Sequence, residues 1–224
     1  MATSGTTSFN ITIDEVIEEA YERCGVRTNS GNDIRSARRS LNLLFSEWGN
    51  RGINLWKVKS ETTTLINGQV TYNTPSDCND VLEAVVTTTG GNQQTLTKVS
   101  RSEYIAIPDK TIAGTPSQYY VNRQINPTIS LYLAPATSAV SNIFYYYLAR
   151  IEDVGAYTNT SDMPFRFFPC MVSGLAFYLS QKIAPDRIQA LKLLYEDELK
   201  RALEEDGQRT SVYITPNVYY PQGS

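Results

Sequence analysis

Hydrophobic positions recur every three or four residues toward both ends of the chain and every second residue through its middle. At the N-terminal side, Ile13, Val16, Ile17, Ala20, Tyr21 and Cys24 fall on one helical face. Thr12 followed by Glu15 reads as a capping box, with Ile11 and Val16 as its hydrophobic staple, and Gly25 as the stop. A second helix, starting near Ser30 or Asn32, has the apolar set Ile34, Ala37, Leu41, Leu44, Phe45 and Trp48. Arg35, Arg38 and Arg39 lie mostly on its other side, suited to nucleic acid or equally to a solvated or subunit-facing surface, and Gly49–Gly52 ends it.

From Lys57 to Arg150 the period becomes that of strands. Lys57–Ile66 and Gln69–Asn73 flank Asn67-Gly68, a pair that supplies the positive φ of a tight turn, and read as a hairpin. Val81–Thr87, Thr95–Val99, Gln118–Asn122, Thr128–Ala134 and Val140–Arg150 follow as strands, separated by Gly90-Gly91, Gly114-Thr115-Pro116 and Asn126-Pro127. Arg101–Ile107 is a short helix or turn with a local cap at its start. Seven or so short strands with polar turns predict a small antiparallel sandwich or barrel.

Helical periodicity returns in Pro164–Ile183, the most hydrophobic stretch of the chain. Phe167, Phe168, Met171, Val172, Leu175, Ala176, Phe177, Leu179 and Ile183 nearly encircle its axis, so it reads as a buried helix. Pro169 fits if it sits in the first turn, and Gly174 suggests a close helix contact. A fourth helix opens at Pro185, with Ile188, Leu191, Leu194, Tyr195, Leu199 and Ala202 as its apolar side. The expected fold is therefore α+β: a four-helix bundle with a small antiparallel β-sandwich or barrel-like module inserted between helices 2 and 3, and an extended C-terminal arm. The expected divisions are residues 11–56 with 160–206 for the bundle, 57–150 for the β domain and 207–224 for the arm. In that arm Val212, Tyr213, Ile214, Val218, Tyr219 and Tyr220 are too few for a core of their own, and strand addition to a neighbour suits them.

Composition narrows the chemistry. The 224 residues contain no histidine, which removes imidazole bases, His metal ligands and the commonest hydrolytic triads. Cys24, Cys78 and Cys170 are far apart and odd in number, so they read as buried thiols instead of a disulfide or metal framework. The pairs Asp77/Asp80 and Glu152/Asp153 read as surface carboxylates in turns. No P-loop, GxSxG elbow or metal-ligand pattern is present, and no cofactor is expected. Acids and bases nearly balance in the β region, and the formal net charge is −3, so no basic nucleic-acid stripe is expected. The polar N-terminus has no signal-peptide pattern, and the charged and proline interruptions of Pro164–Ile183 argue against membrane anchoring. Fifteen tyrosines suit an interface, although strands favour tyrosine too.

Three phrases in order, ARRSLNLLFSEWGNRGINLW (37–56), GTPSQYYVNRQINPTISLYLAP (114–135) and DMPFRFFPCMVSGLAFYLSQKIAPDRIQALKLLYEDELKRALEED (162–206), resemble the head-to-tail adaptors of short-tailed bacteriophages, of the tail tubular protein A or gatekeeper-ring type. The resemblance spans roughly residues 12–206. It implies a non-enzymatic virion protein at the neck or proximal tail, in a ring of about twelve copies that continues the DNA channel and helps retain and deliver the genome. Implied partners are the portal protein, a distal tail tube, nozzle or fibre-associated protein, further copies of the chain, and double-stranded DNA in passage. Val212, Tyr213, Ile214, Val218, Tyr219 and Tyr220 then correspond to a portal-binding or intersubunit arm. Trp48, Phe167, Phe168, Leu175, Phe177, Leu191 and Tyr195 are the expected bundle-core or ring-interface residues. The alternatives are another tail-completion or minor virion protein, or a His-independent carboxylate hydrolase.

Overall fold

The structure, a computed structural model, describes residues 5, 9–27, 30–51, 55–156 and 158–206. The N-terminal helix, α1 (Ile13–Cys24), begins where the Glu15 carboxylate accepts the Thr12 backbone N–H at 2.7 Å. It ends at Gly25, whose φ of 77° lets the chain turn back, with the Val26 N–H donating to the Tyr21 carbonyl. Helix α2 (Gly31–Asn50) starts with a reciprocal Ser30/Asp33 box and buries Ala37, Ser40, Leu41, Leu44, Phe45 and Trp48. The C-terminal part supplies two long helices, α4 (Phe168–Ile183) and α5 (Ile188–Asp206). Pro169 lies in the first turn of α4, where its missing N–H costs no intrahelical bond.

The strands are β1 (Val58–Thr64), β2 (Thr71–Asn73), β3 (Cys78–Thr88), β4 (Gln93–Thr95), β5 (Thr97–Lys98), β6 (Ala113–Gly114), β7 (Gln118–Asn122), β8 (Thr128–Tyr132), β9 (Ala134–Pro135) and β10 (Val140–Ala149). They form one sheet in the order β1-β10-β3-β4, a second in the order β2-β8-β7-β5, and a two-stranded β6-β9 ladder. A further helix, α3 (Arg101–Ala106), is opened by Ser100 and Glu103 and stacks Tyr104 on Tyr120 of β7.

The expected four-helix bundle with an antiparallel inserted module is corrected by this architecture. Among the described residues there are five α-helices in a sheet-rich α+β arrangement. In a bundle, each helix buries a stripe against two neighbours around a shared seam. Here α1, α2 and α5 each pack chiefly on α4, and α1 meets α2 only slightly, because α4 is apolar around most of its axis and takes the centre. The β1-β10-β3-β4 sheet is antiparallel throughout, but β5 runs parallel to β7 in the second sheet, and β6 runs parallel to β9. The expected hairpin around Asn67-Gly68 also differs. Its turn forms, with φ 74° at Gly68, but β1 pairs with β10 and β2 with β8, so the turn passes the chain from one sheet to the other.

Two hydrophobic clusters result. One joins α1, α2, α4 and α5 with Val154 and Met163, and the other fills the space between strands with Leu65, Tyr72, Val81, Val86, Tyr119, Ile129, Leu131, Ile143 and Tyr145 among its members.

Candidate assembly interface

The helical cluster is tied together by a buried polar relay. Trp48 Nε1 on α2 donates to the Tyr195 hydroxyl on α5 at 2.8 Å, and that hydroxyl donates to Glu47 Oε2 at 3.0 Å. Glu47 in turn pairs with Arg51 one turn on. Burial raises the Tyr195 phenol well above the ordinary tyrosine range, so it stays a donor at any physiological pH. Gly174 of α4 explains the close approach: a Cβ there would lie 2.8 Å from Leu44 Cδ2 and 3.0 Å from Tyr195 Cε2. The seven expected core or ring residues all belong to this cluster. Trp48, Phe167, Leu175, Leu191 and Tyr195 are buried within the chain, whereas Phe168 and Phe177 are half-buried and retain surface that another molecule could cover. The six expected arm residues, Val212, Tyr213, Ile214, Val218, Tyr219 and Tyr220, lie outside the described residues.

Sequence reasoning missed two charged anchors. Lys57 is 3% exposed, where the chain passes from α2 to β1, and its ammonium pairs with Asp162 and, at 3.9 Å, with Glu152. Burial lowers its pKa, while the Glu152 charge acts in the other direction. Beside it, Trp56 Nε1 donates to the Asp162 carbonyl and its ring meets Phe167 at 4.6 Å. The second anchor is Asp80. It lies within β3, not in a turn, and is 7% exposed. Lys98 of β5 donates to both its oxygens at 2.9 Å, and Arg123, just beyond β7, also pairs with it, so one carboxylate clamps the two sheets. Burial opposes its charge, but the bonds from Lys98 and Arg123 outweigh that and hold its pKa below the ordinary value. Asp77 is likewise engaged, by Lys59 at 2.9 Å, while Glu152 and Asp153 are exposed. Asp77 and Asp80 are thus each committed to a cation of their own, and Glu152 and Asp153 face solvent. Alternating strand periodicity could have flagged Asp80, since it shares the inward face of β3 with Cys78; nothing local marks Lys57.

The surface of the helical layer carries large apolar side chains: Leu43 on α2, and Leu193, Leu194 and Leu203 on α5, with Leu193 66% exposed. On α2, Arg35 and Arg39 are exposed, and Arg38 is half-buried with its guanidinium donating to the Gly155 carbonyl. Among the described residues no group of three or more His, Cys, Asp or Glu could hold a metal ion, and no helix is long and apolar enough to cross a membrane.

The SU10 adaptor protein family matches residues 11–219, taking in both hydrophobic clusters. The chain belongs to that family of phage head-to-tail adaptors. No curated protein matches the sequence. An adaptor is a structural phage protein, which directs attention to the exposed apolar side chains of the helical layer. The three cysteines of the adaptor are free and buried, and burial pushes the Cys170 thiol up to about 12, which suits packing more than reactivity.

Proposed function

We propose that this adaptor joins the portal of a phage capsid to the tail, as one subunit of a ring of about twelve copies whose channel continues the path of the double-stranded genome. The observation that carries the proposal is the family match over residues 11–219. In this reading the helical layer and the β region act as two domains. The helices supply the ring body and meet the portal, and the β region faces the distal tail tube, nozzle or fibre-associated protein. Val212, Tyr213, Ile214, Val218, Tyr219 and Tyr220 form the arm that grips the portal or a neighbour. The exposed leucines of α2 and α5, together with the uncovered parts of Phe168 and Phe177, support an assembly role, since apolar area on a helix face gains by being covered. A net charge of −3 suits a conduit, because a lining that neutralises few phosphates lets DNA slide. The ring sits at the virion neck and helps retain and deliver the genome.

Electron cryo-microscopy of particle necks tests the proposal directly: density for a closed ring between portal and tail is expected, and its presence at the tail tip or its absence from particles would overturn it. Deleting residues 208–224 should abolish portal binding by the purified adaptor, and undiminished binding would remove the arm from the docking mechanism.

A further inference from the structure

We propose that the arginine face of α2 docks on the glutamate face of α1 in a second copy of this chain, forming a charge-complementary, head-to-tail contact. The inference rests on the ring reading above and adds which surfaces meet.

Helix α1 turns Glu15, Glu18, Glu19 and Glu22 to solvent, at spacings of i, i+3, i+4 and i+7, so they make a single stripe. Glu15 is occupied at the cap and Glu19 pairs with Arg23 at 2.9 Å, but Glu18 and Glu22 form no ion pair among the described residues. Helix α2 presents Arg35, Arg38 and Arg39 at i, i+3 and i+4, around a cleft of about 540 Å³ completed by Asn32 and Asn42. None of these arginines forms an ion pair among the described residues, and the Nε–H of Arg38 is buried without a hydrogen-bond partner. Asp33, the acid nearest on the same helix, is engaged in the Ser30 cap. From α4, Lys182 reaches the same side and donates to Ser40 Oγ at 2.7 Å and Ser36 Oγ at 3.2 Å. Burial first, and then the charge of Arg39, keeps its pKa below the ordinary lysine value.

Both faces belong to helices whose apolar sides are already committed to α4, and no glutamate of α1 pairs with an arginine of α2 within the described chain. They are therefore two different, complementary patches on one molecule. A contact between different patches repeats from copy to copy and makes a ring where its rotation closes, whereas a self-complementary patch stops at a dimer. Three arginines on a chain with an acidic pI of about 5.1 are a poor match for a DNA backbone, and the matching stripe of acids is supplied by the chain itself.

The test uses the full-length adaptor with Arg35→Glu/Arg39→Glu, with Glu18→Arg/Glu22→Arg, and with all four changes together. Thermal melts of each variant check folding, and native mass spectrometry and sedimentation, alone and with portal, read assembly. Each double variant should lose the ring and the fourfold swap should regain it. Wild-type rings should weaken in salt, as the screening length falls from about 10 Å at 0.1 M to about 3 Å at 1 M. Double variants that form rings like the wild type, or a fourfold swap that fails to recover them, would overturn the inference and leave the ring reading standing. If wild type forms no ring even on the portal, the ring reading falls, and mixing Glu18→Cys with Arg39→Cys chains under oxidation still interrogates the contact: absence of a cross-linked dimer overturns it too. Loss of binding to a fluorescent DNA duplex by Arg35→Glu/Arg39→Glu, with assembly intact, would reassign the face to nucleic acid.

Discussion

Replacing Tyr195 by Phe removes one oxygen from the middle of the helical cluster and leaves its shape intact. The ring keeps its stack on Phe177, at 6.0 Å and 14°, and its packing beside Gly174. The loss is the acceptor for Trp48 Nε1, on a side chain with no exposed surface, and a donor to Glu47. A buried donor left without a partner costs about 1–3 kcal/mol, whereas Glu47 retains Arg51 and reaches solvent, so its loss adds little. A destabilisation of about 2 kcal/mol corresponds to a fall in Tm of roughly 4–8 °C for a chain of this length. Both tryptophans of the sequence, Trp48 and Trp56, lie in or against the helical cluster, so urea unfolding followed by tryptophan fluorescence reads that cluster specifically. Glu47→Gln, which keeps an acceptor for the phenol, should cost clearly less than Tyr195→Phe. Equal midpoints for Tyr195→Phe and wild type, or the reverse order of the two variants, would refute the assignment of the relay as an anchor between α2 and α5.

At Gly174, Ala should cost about 1 kcal/mol, the net of overpacking against Leu44 and Tyr195 and a helix-propensity gain. Val should cost about 3 kcal/mol; equal stability of all three in urea would show that α4 is not held at close approach. Asp80→Asn should lose about 2 kcal/mol at pH 7, since a charge-assisted bond is worth about 1.5–3 kcal/mol and Arg123 is mostly solvent-screened. Because the folded Asp80 pKa is depressed, that contribution is full above its ordinary value of 3.8 and disappears as pH falls through the folded pKa. Melts by circular dichroism should therefore converge for variant and wild type only below pH 3.8, and a constant gap down to pH 2 would contradict the clamp. At the junction, Asp162→Asn should be more destabilising than Lys57→Met, since the first strands a buried ammonium and the second leaves carboxylates that water can reach. Urea midpoints in the opposite order would sink that argument.

The helices were legible because their signals are local. The Thr12/Glu15 cap, the stop at Gly25 and apolar spacing are all contained within a few residues, and Gly174 and Pro169 carry their steric meaning wherever the helix goes, while the start of α2, open between Ser30 and Asn32 in the sequence, is fixed by the Ser30/Asp33 box. The arrangement of those helices was less legible: an apolar circumference reveals that α4 is buried, but it fits both one wall of a bundle and a central hub. Strand partners were the least legible. Asn67-Gly68 specifies a reversal of direction, yet the pairing of β1 with β10 and of β2 with β8 depends on strands some sixty to ninety residues away. Among site residues, Trp48 and Tyr195 could be assigned to the core from periodicity, but a hydrogen bond between helices 147 positions apart leaves no trace in either segment. Arg35, Arg38 and Arg39 of α2 read as suited to nucleic acid or equally to a solvated or subunit-facing surface, and nothing local distinguishes these.

The pairing of β1 with β10 also resolves a problem posed by the chain order. The helical cluster takes α1 and α2 from one end and α4 and α5 from the other, with the whole β region between them. Closing a flexible loop of that length costs about 4 kcal/mol from the logarithmic term alone. The β region has its own hydrophobic cluster, however, and its first and last long strands are neighbours, with Val58 opposite Leu148. That sheet places the end of α2 and the approach to α4 side by side. Trp56, Lys57, Glu152 and Asp162 then meet at the junction, with the Lys57 ammonium and the Trp56 indole fixing the two passing chains. The β region, with its own cluster and with β1 beside β10, thus brings together the two chain ends that the discontinuous helical layer needs.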